Sequence, residues 1–148
     1  MSDVALLDVN VLVALFDPDH IHHETAHDWF ADHRSAGWAS CSITENGLVR
    51  VLAHPSYGVG LRAIEVVERL RRFKASGHHR FWDDTRSIAD ADAFNAEMIS
   101  NPRQVTEVHL LGLAVRHGGQ LATFDTSIPW RAVLGAKAEH LQVIRPAD

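Results

Sequence analysis

The chain has 148 residues, of which 46% are hydrophobic and 22% are charged, and its formal net charge is −5. This length and composition predict a single globular domain, residues 1–148, with a sizeable core, and the lone cysteine, Cys41, excludes an intramolecular disulfide. The acidic balance argues against a nucleic-acid partner. However, all but two of the 14 basic residues are arginine, the side chain best shaped for phosphate, so the composition leaves RNA open.

No N-terminal segment joins a basic stretch to an apolar run and a cleavage site. The longest apolar stretch, 4–16, is interrupted by Asp8 and Asn10 and is shorter than the roughly 20 residues that a membrane-spanning helix needs. A single cysteine also suits a reducing compartment. We therefore expect a cytoplasmic protein that makes no contact with a membrane.

Apolar runs of strand length alternate along the chain with segments of helical periodicity. In chain order they predict a strand over 4–7, helices over 10–16 and 22–33, a strand over 37–41, helices over 43–53 and 61–74, a strand over 79–82, helices over 87–94 and 101–117, and strands over 121–124 and 141–144. This alternation predicts an α/β fold with a mostly parallel central sheet of about four to five strands and helices on both faces.

Capping residues mark the ends of several predicted helices. Asn10 is placed to cap the first helix, and Ser42 with Glu45 resembles a capping box. Asn101 precedes a proline at the first helical position, which is a strong helix start. Gly118 closes the same helix, as a left-handed C-terminal cap requires.

Four acidic residues are the principal candidates for a functional site. Asp8 and Asp125 each follow a predicted strand, where ligands bind to open parallel sheets. Glu45 and Glu107 each head the apolar stripe of a helix, so their charges need a partner. The alternatives are local ones: turn or cap roles for the aspartates, a reciprocal cap with Ser42 for Glu45, and a salt bridge to an arginine such as Arg103 for Glu107.

Gathered carboxylates require a positive partner. Two of them about 4 Å apart repel each other by roughly 4 kcal/mol at an effective dielectric near 20. Hard oxygen ligands favour Mg²⁺ or Mn²⁺. We therefore expect Mg²⁺ or Mn²⁺ beside these acids.

Four segments resemble the motifs of PIN-domain ribonucleases, and of VapC-type toxins in particular. The segments, in order, are Leu6-Leu7-Asp8-Val9-Asn10-Val11-Leu12, Ser42-Ile43-Thr44-Glu45 with Leu48-Val49-Arg50, Val105-Thr106-Glu107-Val108-His109-Leu110, and Leu121-Ala122-Thr123-Phe124-Asp125 after Gly118. The resemblance spans nearly the whole chain. One departure stands out, because the third motif usually carries aspartate and this chain has Glu107, whose extra methylene adds about 1.5 Å of reach.

The resemblance implies a PIN-like three-layer fold and a divalent-metal-dependent endoribonuclease, the toxin of a type II VapBC pair. Asp8, Glu45, Glu107 and Asp125 would be its catalytic metal ligands. Asn10, Thr44 and Thr123 would orient carboxylates or water, although helix capping by Asn10 and Thr44 is equally compatible with the sequence. The implied partners are an RNA substrate, a VapB-type antitoxin and a second copy of the chain.

Two other functions are compatible with parts of this pattern. A degenerate PIN domain would bind RNA or a protein without cleavage, and the Glu107 substitution keeps that possibility open. A phosphatase forming an aspartyl-phosphate would need a second aspartate two residues after Asp8, where the chain has Asn10. RNA cleavage that requires a divalent cation would separate the first alternative from the nuclease.

A basic face on the helix over 61–74 is a candidate RNA track. Its arginines share one side by their spacing, and they are Arg62, Arg69 and Arg72. The alternative is a solvated helix face on which Glu65 and Glu68 are interleaved with the arginines.

Overall fold

The computed structural model describes residues 2–146. Five strands form one sheet, and every neighbouring pair is parallel. They are β1 (Ala5–Leu7), β2 (Trp38–Ser40), β3 (His79–Phe81), β4 (Gln120–Thr123) and β5 (Leu141–Val143). Their order in the sheet is β3-β2-β1-β4-β5. The predicted α/β class, the parallel sheet and all five predicted strands are therefore confirmed.

Five α-helices connect and cover the strands. They are α1 (Val9–Phe16), α2 (His23–His33), α3 (Ser42–Leu52), α4 (Ala63–Ala75) and α5 (Val105–Arg116). A turn of 3₁₀ helix, Pro102–Gln104, precedes α5, and the Asn101 side chain caps it by accepting from the amide of Arg103 at 2.9 Å. Gly118 follows α5 with a φ of +70°, as the left-handed cap requires.

Side chains alternate between the two faces of β1 and so divide the core into two layers. Leu6 packs with α5 residues such as Leu111 in one layer, while Ala5 and Leu7 pack with α1 to α4 in the other. Because strands buried on both faces read as continuous apolar runs, this division explains why β1 is visible in the sequence. The result is a three-layer arrangement of helix, sheet and helix.

Two predicted caps were wrong. The cap of α1 is Asp8, whose carboxylate accepts from the amide of Val9, so Asn10 lies one residue inside the helix. The cap of α3 is Cys41, because β2 ends at Ser40 and the chain remains extended for one more residue. The Thr44 hydroxyl accepts from the Cys41 amide at 3.0 Å.

The helix predicted over 87–94 does not form. The Ser87 hydroxyl accepts from the amide of Ala89 at 3.0 Å, and the Asp90 carboxylate accepts from the amide of Asp92 at 2.9 Å. Such local side-chain bonds compete with helical ones. The segment is therefore a series of turns, and it ends at Phe94, which forms an isolated bridge to Val133.

Candidate active site at the carboxyl edge of the sheet

The candidate site lies where the direction of chain winding changes, between β1 and β4. From β1 the chain moves outward to β2 and β3, and it then crosses back to β4 and β5. Asp8 follows β1 directly, and Asp125 lies two residues beyond β4. Glu45 and Glu107 lie in the first turns of α3 and α5. In open α/β sheets, this edge and this switch point are where ligands bind.

Asp8 is the buried centre of the site, with 1% of its surface exposed. Its Oδ1 accepts from the Val9 amide at 2.7 Å, and its Oδ2 accepts from the Thr123 hydroxyl at 2.7 Å. Burial, followed by the negative charges of Glu107 and Asp125, raises the pKa of Asp8 from 3.8 to about 6, although both hydrogen bonds act to lower it. Burial therefore outweighs the two donors.

Thr123 links Asp8 to the rest of the site. Its Oγ1 donates to Asp8, and it accepts from Asn10 Nδ2 at 3.2 Å and from the Asp125 amide at 3.1 Å. Asn10 Oδ1 accepts in turn from the Phe124 amide at 3.3 Å. These bonds join the start of α1 to the end of β4, so they fix the position of Asp8 relative to Asp125.

Glu107 has a buried carboxylate oxygen without a partner. Its Oε2 receives no hydrogen bond from any residue within 2–146, and no ion pair joins it to Arg103 in this range. Burial, and then the charge of Asp125, raises the pKa of Glu107. An unpaired buried carboxylate oxygen is costly, and beside two further acids it fits a bound cation.

Asp125 is held by the turn that follows it. Its Oδ1 accepts from the amide of Ser127 at 2.8 Å and from the hydroxyl of the same residue at 2.7 Å. The charge of Asp125 acts on the pKa of both Asp8 and Glu107. The charges of three of the four predicted acids, Asp8, Glu107 and Asp125, therefore act on one another at this edge of the sheet.

Glu45 is held apart from those three acids. Its Oε2 lies 2.8 Å from Lys74 Nζ and accepts from the Ser40 hydroxyl at 2.6 Å. The reciprocal cap with Ser42 is absent from the hydrogen bonds of residues 2–146. Sequence reasoning missed Lys74 and Ser40, because no local pattern connects either residue to Glu45.

The remaining candidates occupy different places. Thr44 is buried, and its hydroxyl bonds Cys41 and not a carboxylate within the described part of the chain. Arg62 caps α4 and pairs with Glu65 at 3.2 Å. Arg69 and Arg72 are exposed on α4, and Arg69 lines a cavity with Asp17, at the end of α1 opposite Asp8.

The acids do not form a finished ligand shell within residues 2–146. Within 2–146, no three aspartate, glutamate, histidine or cysteine side chains are close enough to hold one ion between them. Mg²⁺ keeps several of its waters, so carboxylates can hold it through water. The donor set of three neighbouring carboxylates, one with an unpaired buried oxygen, fits such an ion.

A groove of about 460 Å³ opens near the starts of α1 and α5, and none of the four predicted acids is among the residues of 2–146 that line it. Its walls include Val9, which follows Asp8, and Thr106, which precedes Glu107. Arg50 and His109 add positive or polar character, and Ile43 and Ile88 add apolar surface. The groove therefore offers apolar and basic surface next to the chain neighbours of Asp8 and Glu107.

These features define an α/β protein with a three-layer parallel fold and an acidic site at its switch point. The family model for the PIN domain matches residues 5–133, and the chain belongs to the PIN domain family. The resemblance inferred from the four motifs is thereby confirmed.

Several curated relatives from Mycobacterium tuberculosis cover most of the chain. Ribonuclease VapC44 is 44% identical over 140 residues, which are 95% of this chain and 99% of the relative. Ribonuclease VapC39 is 40% identical over 88% of this chain and 95% of the relative. Ribonuclease VapC38 is 44% identical over 84% of this chain and 87% of the relative.

The helices of the domain are short. The longest α-helix within 2–146 is α4, with 13 residues. In the same range, no helix is long and apolar enough to cross a bilayer.

Proposed function

We propose that the chain is a divalent-metal-dependent endoribonuclease and the toxin of a type II VapBC toxin–antitoxin pair. Its membership of the PIN domain family and its similarity along most of its length to relatives named ribonuclease VapC support this function. We further propose that the cofactor is Mg²⁺ or Mn²⁺, bound as one or two ions. The carboxylates of Asp8, Glu45, Glu107 and Asp125 would hold it, directly or through water.

One observation carries the metal assignment. Glu107 Oε2 is buried and unpaired within 2–146, and it faces an environment already made negative by Asp8 and Asp125. A buried carboxylate normally has a positive partner or hydrogen bonds. A divalent cation supplies the positive charge for all three acids at once.

The protein's own residues prepare this site for phosphodiester hydrolysis. Thr123 and the Val9 amide hold the two oxygens of Asp8 in a fixed orientation, and Asn10 steadies Thr123. Ser127 fixes one oxygen of Asp125. When bound, divalent cations at such sites activate water for attack on phosphorus and neutralise the charge that develops on the phosphate.

The groove near the starts of α1 and α5 is the proposed approach of the RNA. Its apolar walls suit an unpaired base, and Arg50 at its edge suits a phosphate. A base in this groove would lie next to Val9 and Thr106, the chain neighbours of Asp8 and Glu107. This arrangement supports cleavage within a single-stranded segment of RNA.

The proposed protein partners are a VapB-type antitoxin and a second copy of the chain. The similarity to VapC proteins supports the antitoxin. A short upstream reading frame encoding a small DNA-binding protein would support the toxin assignment, and light scattering of the purified chain tests the dimer.

The proposed activity is tested by RNA cleavage in the presence of Mg²⁺, Mn²⁺ or EDTA. We expect cleavage with either ion, none in EDTA, and a loss of at least about a hundredfold in the Asp8→Ala variant. Asp28→Asn, a change to an exposed acid on α2, is the control and should cleave at the wild-type rate. Cleavage that survives EDTA or the loss of Asp8 would refute the mechanism.

A different outcome favours the degenerate PIN domain. If the wild-type chain binds Mn²⁺ and RNA but leaves the RNA intact, the site serves in binding and not in hydrolysis. The first residue to substitute is then Glu107, because the third PIN-domain motif usually has aspartate at this position. The Glu107→Asp variant would show whether the shorter side chain confers cleavage.

A further inference from the structure

Lys74 occupies a position that no local motif accounts for. Its Nζ lies 2.8 Å from Glu45 Oε2, and the side chains of the pair are 31% and 18% exposed. The same oxygen accepts from the Ser40 hydroxyl at 2.6 Å. The other oxygen, Glu45 Oε1, has no hydrogen-bond donor among residues 2–146.

The lysine is guided to Glu45 by its surroundings. Lys74 lies in the last turn of α4, and its ammonium passes 5.2 Å from the centre of the Phe81 ring on the edge strand β3. His79, also on β3, lies 2.7 Å from Ser40 Oγ through its Nε2. Because the Ser40 hydroxyl donates its only proton to Glu45, its oxygen accepts from His79 Nε2. Two neighbouring elements therefore maintain the ion pair.

Glu45 is the one predicted acid with a cation already beside it. Besides burial, the charges of Glu107 and Asp125 raise the pKa of Asp8. Glu45 nevertheless lies in the first turn of α3, which begins two residues after β2, the strand that pairs in parallel with β1. Its carboxylate thus has two alternative positive partners, Lys74 and an ion shared with the other acids.

We propose that Lys74 competes with the divalent cation for the carboxylate of Glu45. The inference rests on the proposed function, since it requires a cation at the site. Binding of the ion by all four carboxylates exchanges one positive partner of Glu45 for another, and the broken ion pair reduces the net affinity. Lys74 thereby sets the cation concentration at which the fourth acid joins the site.

A second role would have the opposite effect. If Lys74 only oriented Glu45 toward the ion, removing the lysine would leave Glu45 disordered and would weaken cation binding. Competition instead predicts stronger binding after removal. The sign of the change in Kd therefore separates the two roles.

The test is calorimetric titration of Mn²⁺ and Mg²⁺ into the full chain. We expect Lys74→Met and Lys74→Gln each to lower the Kd for Mn²⁺ by about threefold to tenfold, the range expected from loss of a partly exposed ion pair. Arg72→Met removes an exposed charge from the same helix and should change the Kd by less than about twofold. Thermal unfolding of each variant verifies that it is folded.

A double-mutant cycle isolates the role of Glu45. In a Glu45→Gln background, Lys74→Met should leave the Kd unchanged, because there is no carboxylate to compete for. An unchanged or raised Kd in the Lys74 single variants would overturn the inference, and so would a gain that persists without Glu45. If the wild-type chain binds neither ion, the metal site itself is refuted, and the inference with it.

Discussion

The carboxylate of Asp8 is subject to opposing influences from its neighbours. Two donors, the Val9 amide and the Thr123 hydroxyl, stabilise its charged form. Burial and the charges of Glu107 and Asp125 disfavour that form, and they raise its pKa to about 6. The donors fix the geometry of the carboxylate, while its unfavourable charge provides affinity for a cation.

This imbalance predicts a dependence of stability on pH in EDTA. Because folding raises the pKa of Asp8 from 3.8 to about 6, its contribution to the free energy of unfolding is fully present below about pH 4. The contribution is lost as the pH rises through about 6, by at most about 3 kcal/mol. Urea unfolding of the wild-type chain and of Asp8→Ala across this range measures it as a difference.

The difference in unfolding free energy, wild type minus variant, should decrease between about pH 4 and about pH 7.5. Addition of Mg²⁺ should reverse much of this decrease at the higher pH and have little effect at the lower one, since a protonated Asp8 does not attract the ion. A flat difference would show that the burial of Asp8 does not oppose its ionisation.

The sequence predicted which acids are candidates for the functional site, but it did not predict all of the contacts that these acids make. Asp8 and Asp125 could be placed because parallel strands end at a common edge. Asn10 was misplaced as a cap because aspartate caps equally well and Asp8 precedes it. The pairing of Glu45 with Lys74 depends on how α4 packs beside β3, and no pattern in the sequence encodes that packing.

At the scale of elements, the close contact between α1 and α3 fixes the position of the start of α1, which Asp8 caps. Gly47 of α3 is buried against Val9, and a Cβ built on Gly47 would lie 2.6 Å from Val9 Cγ2. Only glycine allows the two helices to approach this closely. The contact therefore positions the first residue of α1, directly after Asp8.

Gly47→Ala should lower the free energy of unfolding by about 1–3 kcal/mol, because the overlap with Val9 exceeds what alanine gains in helix propensity. Val9→Ala in the same chain should recover most of that loss, since it removes the overlapping methyl groups. Denaturant unfolding of both single variants and the double variant measures the coupling. Additive effects would mean that the two side chains do not meet.

Strands that are buried on both faces of the sheet could be predicted from the sequence. Turns that depend on local side-chain hydrogen bonds could not. The central strand β1 and its neighbour β2 are fully buried, whereas β3 at the edge of the sheet is largely exposed and β5 is half-buried. The stretch 87–94 has helical periodicity, yet Ser87 and Asp90 capture backbone amides and produce turns. The periodicity of apolar residues does not show whether side chains will compete with a helix for its backbone amides.

At the scale of the whole molecule, the net charge of −5 coexists with a basic surface on α4. Arg69 and Arg72 are exposed there, while Arg62 is paired with Glu65. Arg69 lies near the end of α1 away from Asp8, about 12 Å along an eight-residue helix. Such a surface could hold only RNA that extends well beyond the cleaved bond.

Charge reversal at both Arg69 and Arg72 should therefore weaken binding of a long single-stranded RNA and flatten its salt dependence. The slope of log K against log salt should fall by about 0.7 for each phosphate that the variant no longer neutralises. Binding of a short RNA confined to the groove should change little. Equal salt slopes for the variant and the wild type on the long RNA would remove α4 from the substrate path.

Whether Asp8, Glu107 and Asp125 share a divalent cation is tested most directly by anomalous diffraction from crystals grown with Mn²⁺. We expect a manganese peak among these three carboxylates, within coordination distance of at least one of them directly and of the others directly or through water. A map in which manganese is absent from the switch point of the sheet, at a concentration that saturates the protein in solution, would contradict a shared ion.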